Sequence, residues 1–207
     1  MARTSASTRR AAAEQEPAVE GPRERILRIA AEMFAEYGFH GTSVAQLGDA
    51  VGLQRGALYY HIRSKEDVLY DLSKRHVEEA LARGRVVVES DLPPAEKFRA
   101  LAREHLASLT ARQDEVTVVV REMHALTGER AEALKALRGE VEGLFLTVLA
   151  EGKTAGVFGS NDIITAHGIL GMLNSTHVWF SHKTGRLTAT QVADRLSKII
   201  LDGLVVR

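Results

Sequence analysis

The sequence holds no cysteine, which removes disulfide scaffolds and thiolate metal sites and fits a reducing cytoplasm. Formal net charge is zero, with 27 basic and 27 acidic residues. Total charge therefore announces no nucleic-acid partner, and affinity for phosphate has to come from local clustering. No apolar run approaches the roughly 20 residues of a membrane span, and the N-terminus lacks the apolar centre of a secretory signal. A soluble, cytoplasmic chain without membrane contact is expected. Chemistry-bearing constellations are equally scarce. The eight histidines include no i, i+4 pair and no zincin arrangement, so no metal site is expected. Glu151-Gly-Lys-Thr154 ends like a phosphate-binding loop, but Thr147 stands where its first glycine belongs. The segment also closes a helical pattern, where the macrodipole repels phosphate. Without a nucleophile elbow, a dinucleotide loop or paired carboxylates, neither a cofactor nor an enzyme activity is expected.

What is present is helical periodicity. With 207 residues, 45% of them hydrophobic, the chain can bury a full core and divides most simply into a small N-terminal and a larger C-terminal domain. Residues 1–21, rich in Ala, Ser, Thr, Arg and Glu, read as a mobile tail. Arg3, Arg9 and Arg10 could touch phosphates from there, although an idle tail is the more ordinary reading. Ile26, Ala30, Met33, Phe34 and Tyr37 line one face of a first helix. A later helix runs from Ser64 to about Glu89, before Asp91-Leu-Pro-Pro94 interrupts it. Phe98, Leu101, His105 and Leu109 give the next stripe. Val116 to Val120 is β-branched, yet Val116, Val119, Val120 and Met123 fall at helical spacing. Leu134 to Val148 forms a long helix stopping at Gly152 or Gly156, and Asp162–Phe180 and Thr190–Val205 supply two more. The expected fold class is all-α, with about nine helices: a three-helix N-terminal unit at 22–68 and a helical domain at 69–207.

The densest signal lies between Gly41 and Lys65. Ser43 and Gln46 have capping-box spacing, Val44, Leu47 and Val51 mark one buried face, and Gly52 stops the helix. A second short helix from Gln54 to Ile62 carries Leu58 inward, with Arg55, Tyr59, Tyr60 and His61 available for phosphates or base edges. Ser64 and Asp67 cap another helix. This is the pattern of a helix-turn-helix. Between Gly52 and Lys65 there are Arg55, Arg63 and Lys65 and no acid, although short basic runs are more often plain solvated surface.

Thr42 to Leu69 resembles the DNA-binding signature of the tetracycline-repressor (TetR) family, and Arg25–Gly38 resembles that family's first helix. The run Leu58-Tyr59-Tyr60-His61 with Lys65 is its most specific part. Ile62 departs from the family's usual phenylalanine, and Gln54 from its serine or threonine cap. The resemblance implies a dimer that binds a palindromic DNA operator. The DNA-facing set is then Ser43, Arg55, Ala57, Tyr59, Tyr60, His61 and Lys65, with Arg55 and Ala57 suited to base edges and Lys65 to phosphate. Tyr60 could instead pack against its own domain.

The C-terminal half carries a looser likeness. Gly171–Phe180 and Lys183–Val192 resemble TetR regulators that respond to acyl-CoA thioesters. A pocket for an apolar effector is expected from Leu101, His105, Val119, Met123, Phe145, Leu149, Met172 and Asn174. Residues of this kind at helical spacing are also plain core, and no phosphate-binding basic group is identifiable. The resemblance further implies a four-helix dimer bundle through Gly168, Gly171, Val192, Leu196, Ile199 and Ile200; the alternative is that the stripe from Val192 to Ile200 faces only its own core. The expected function is a ligand-released repressor; the alternative is a dimeric small-molecule carrier or enzyme on a similar scaffold.

Overall fold

The computed structural model describes residues 20–111, 113–180 and 186–205. The expected tail, apart from its last two residues, lies outside them, as do Arg3, Arg9, Arg10 and Lys183. The described residues form ten α-helices, one short 3-10 turn and no sheet. A lone bridge pairs Phe158 with Val205.

The first three helices are short and locally specified. Helix α1 (Pro22–Tyr37) opens on proline, whose missing N–H would have no intrahelical partner there anyway. It buries Ile26, Leu27, Ala30, Ala31 and Phe34. Tyr37, expected on that face, is instead exposed in the last turn, where its hydroxyl turns to Glu36. Helix α2 (Val44–Val51) begins with the Ser43/Gln46 capping box and ends at Gly52, whose φ of 74° is left-handed. Helix α3 (Arg55–His61) follows without a side-chain cap from Gln54. Leu58 and Ile62 anchor it in the same core as Leu47 and Val51.

Helix α4 (Lys65–Val88) starts at the Ser64/Asp67 capping box and leaves the N-terminal unit without a break. Helices α5 (Pro94–Ala111), α6 (Gln113–Glu122) and α7 (Gly128–Thr154) pack around it. The stretch Val116–Val120 is helical, as its spacing predicts. Val118, off the expected stripe, is buried too, because α6 lies between α1 on one side and the helices of the larger domain on the other.

The expected helix 162–180 is two. Helix α8 (Ile163–Asn174) is separated from α9 (Thr176–Trp179) by Ser175. The Ser175 hydroxyl donates to Met172 O at 2.8 Å and that of Thr176 to Leu173 O at 2.7 Å, drawing carbonyls out of the helical ladder. Helix α10 (Ala189–Leu204) starts at a Thr188/Gln191 capping box. Gly152 admits the Phe158 ring so closely that a Cβ there would stand 2.0 Å from it.

Two apolar cores result. One joins α1, α2 and α3 to the first part of α4, to α6 and to the start of α7; the other joins α5, the end of α7, α8 and α10. The N-terminal unit therefore shares its core with the larger domain.

Candidate nucleic-acid interface and effector cavity

Helix α3 presents one polar face outward. Leu58 is buried, while Arg55, Ala57, Tyr59 and Tyr60 are exposed. Tyr60 is 87% exposed, so it is free of its own domain's packing. Arg55 stands over the Tyr59 ring at 5.6 Å, which orders a long cation beside an aromatic donor. His61 lies edge-on to Tyr60, with centroids 5.2 Å apart. Arg23 of α1 holds the end of this helix by donating to His61 O at 2.5 Å and pairing with Asp71 of α4.

Two members of the expected DNA-facing set are committed elsewhere. Ser43 Oγ accepts from Gln46 N at 3.2 Å as the α2 cap. The Lys65 ammonium donates to Phe39 O at 2.8 Å and Thr42 O at 3.1 Å, and sits 4.6 Å from the Phe39 ring. It closes the loop between α1 and α2. Sequence offers no sign of this, because Lys65 and its partners are more than twenty residues apart.

A cavity of about 750 Å³ lies in the larger domain, within the range of sites for organic ligands. From α5 come His105, Ser108 and Leu109; from α6, Val119 and Val120, followed by Met123; from α8, His167, Leu170, Gly171 and Asn174. The α7 wall includes Leu134 and Val141, the exposed Lys135 and Arg138, which form a basic rim, and the exposed Gly139. Arg138 Nη1 approaches Met123 Sδ at 3.1 Å. Glu142 on the same wall pairs with His167 Nε2 at 2.8 Å.

Of the eight expected pocket residues, His105, Val119, Met123 and Asn174 meet here. Leu101, Phe145 and Leu149 do not line the cavity but fill the second core, because the helical stripe to which each belongs is wider than the cavity. Met172 lies on the outer side of α8, 37% exposed. His105 is held neutral: withdrawal from water pushes its pKa down, against the opposing pull of its hydrogen bond to Asn174.

The expected dimer set also divides. Val192 and Ile200 are buried in the chain's own core, with Leu196 packed against it, whereas Ile199 is 60% exposed. Cβ atoms added at Gly168 or Gly171 would meet nothing within 4 Å. With Ile164, Met172, Val178 and Trp179 also exposed, α8 to α10 leave a broad apolar face.

Several ion pairs that sequence spacing does not announce tie the two parts together. Arg75 on α4 bonds Glu24 of α1 at 2.6 Å and Glu115 of α6 at 2.9 Å. Arg130 on α7 pairs with Asp67 and Glu66 at the start of α4. Within the larger domain itself, nearly buried Lys97 pairs with Glu151 at 2.9 Å and donates to Val88 O at 2.7 Å. Among the described residues no group of acidic or histidine side chains could hold a metal ion, and no helix is long and apolar enough to cross a membrane.

A capped helix-turn-helix joined through α4 to a cavity-bearing helical domain defines a one-component DNA-binding regulator. The chain belongs to the TetR family: residues 26–72 match the family model for bacterial regulatory proteins of the tetR family, and residues 91–204 match that for tetracyclin repressor-like C-terminal domains. The family is one of transcriptional regulators, not enzymes. Among its relatives, the HTH-type transcriptional repressor KstR2 of Rhodococcus jostii (strain RHA1) is 31% identical over 186 residues, spanning 89% of this chain and 91% of that protein. Among solved structures, the ketosteroid transcriptional regulator KstR2 of Mycobacterium tuberculosis superposes with a TM-score of 0.81 at 26% identity, over 91% of this chain and 97% of that one. AibR, solved in complex with isovaleryl coenzyme A and operator DNA, gives 0.77 at 25% identity, over 86% and 97%.

Proposed function

We propose that this chain is a homodimeric repressor whose two α3 helices enter successive major-groove segments of a palindromic operator, and which a largely apolar metabolite of the acyl-CoA type releases from DNA. Its working place is the bacterial cytoplasm. Residues 22–68 act as the DNA-binding unit and 69–207 as the effector and dimerisation unit. The observation that carries the reading is the position of α6. Val119 and Val120 line the cavity, while Thr117 and Val118 of the same helix border a cleft with the end of α1. A ligand that displaces α6 thus acts directly on the helix that holds α3. Release requires the ligand to bind the non-DNA-spaced dimer more tightly than the DNA-bound one. The likeness to AibR supports an acyl-CoA, and so does the cavity: its interior takes an apolar acyl body, and Lys135 and Arg138 at the rim suit phosphate. The test is genomic footprinting of the purified protein, followed by mobility-shift titration of the sites found with isovaleryl-CoA and longer acyl-CoAs. Absence of any protected palindrome overturns the repressor reading; protected sites that no acyl-CoA releases overturn the effector class alone.

A further inference from the structure

One polar pair stands inside the cavity away from its charged rim. His105 Nε2 lies 2.8 Å from Asn174 Oδ1, joining α5 to α8. An amide oxygen only accepts, so Nε2 carries the proton and donates. The orientation of the amide follows: with Oδ1 engaged, Nδ2 is left with two N–H donors, and no described side chain takes them. Both residues line the cavity together with the apolar Leu109, Val119 and Leu170; of the other lining groups able to accept, Glu142 is paired with His167 and His76 has a partner of its own. The nearby Ser108 hydroxyl is spent on His105 O at 2.7 Å. A donor fixed in a largely apolar cavity disfavours ligands that leave it unpaired and favours those that bring an acceptor.

We propose that Asn174 donates through Nδ2 to a carbonyl oxygen of the effector, and that His105 is the positioning residue that fixes the amide for this purpose. This rests on the cavity being the effector site. A carbonyl could reach it as the thioester of an acyl-CoA or as a ring ketone, and matched probes distinguish the two. Decanoyl-CoA and S-decyl-CoA differ only in the thioester carbonyl; 1-tetralone and tetralin differ only in the ketone. Isothermal titration of the intact protein is expected to show the carbonyl member of one pair binding about tenfold more tightly, the pair that does so naming the source. Asn174→Leu should erase that preference. His105→Gln, whose amide N–H can still donate to Oδ1, should keep it, and His105→Leu should lose it. Retained operator binding and melting temperature certify each fold; if Asn174→Leu is unstable, Asn174→Asp, which can only accept, is expected to lose the preference equally. Equal binding within both pairs, or a preference that survives Asn174→Leu or Asn174→Asp, overturns the clamp and leaves the cavity reading standing. If no member of either pair binds, the clamp and the effector reading fall together.

Discussion

Arg75 of α4 and Glu115 of α6 lie 2.9 Å apart, and the other terminal nitrogen of that guanidinium reaches Glu24 of α1 at 2.6 Å. One side chain therefore spans the helix that links the domains, the wall of the cavity and the first helix of the DNA-binding unit. Such a node carries coupling only if it differs between two states of the protein. Arg75→Gln is expected to leave effector affinity unchanged while shrinking the effector's influence on operator affinity several-fold. Titration calorimetry and mobility shift on the same preparation measure the two quantities. An unaltered ratio would show that the bridge is only structural.

On α3, Tyr59→Ala should cost on the order of 1–3 kcal/mol in specific operator binding. Tyr60→Ala, at an 87% exposed position, should weaken binding with no loss of melting temperature. Lys65→Ala should behave differently, because it leaves the Phe39 and Thr42 carbonyls without their donor. A stability loss of about 1–3 kcal/mol is expected, with the salt dependence of DNA binding nearly unchanged. A salt slope reduced by about one per site with full stability would instead return Lys65 to phosphate.

The N-terminal unit was legible because its signals are local: a cap and its N3 partner, a glycine stop, a three- and four-residue stripe. The same rules found α6 despite its β-branched run. They failed where identity depends on what lies opposite. Phe145 and Val119 occupy equivalent apolar stripes, yet one meets Phe98 and the other a cavity. Val192 and Ile199 lie on one amphipathic helix, and only the packed structure separates inward from outward. Arg75 with Glu115, Lys97 with Glu151 and Lys65 with Phe39 are long-range pairs that no spacing rule reaches. The break at Ser175 had a signal in Ser175-Thr176, whose hydroxyls compete for helical carbonyls.

Assembly is best probed at the exposed positions of the apolar face. Ile199→Glu should dissociate the dimer with the subunit still folded, whereas Val192→Glu puts a charge into the chain's own core and should unfold it. Sedimentation with circular dichroism separates these outcomes. A folded, dimeric Ile199→Glu protein at low micromolar concentration would place the interface elsewhere.

His105 gives a pH signature. Its folded pKa lies below its ordinary value, so the unfolded chain binds the proton more readily. The stability contributed by the neutral imidazole is full above the unfolded value, about 6.5, and is lost as pH falls from there through the lower folded value. The slope is at most about 1.4 kcal/mol per pH unit. Denaturant unfolding between pH 7.5 and 5 should show His105→Gln losing less stability than the parent. Parallel pH profiles would contradict a half-buried histidine held neutral by partial withdrawal from water.

Gly139 offers the most direct test of the cavity as the effector site. It lies exposed on α7 beside Lys135 and Arg138, lines the cavity, and has nothing within 4 Å of where a Cβ would stand. A side chain can therefore be started at the rim without a clash at its Cβ and without touching the first core, which Val119 and Leu134 support. Glycine inside a helix is itself worth roughly 0.5–1 kcal/mol less than alanine. Gly139→Ala should raise stability slightly and preserve the response. Gly139→Trp should keep operator affinity while abolishing both the ligand-induced rise in melting temperature and DNA release. In the parent, ligand at about a hundred times its dissociation constant should add roughly 2.7 kcal/mol, enough to make the loss unmistakable in a thermal shift. A Gly139→Trp protein that still responds fully to the same acyl-CoA would mean that the ligand enters or binds somewhere other than this cavity.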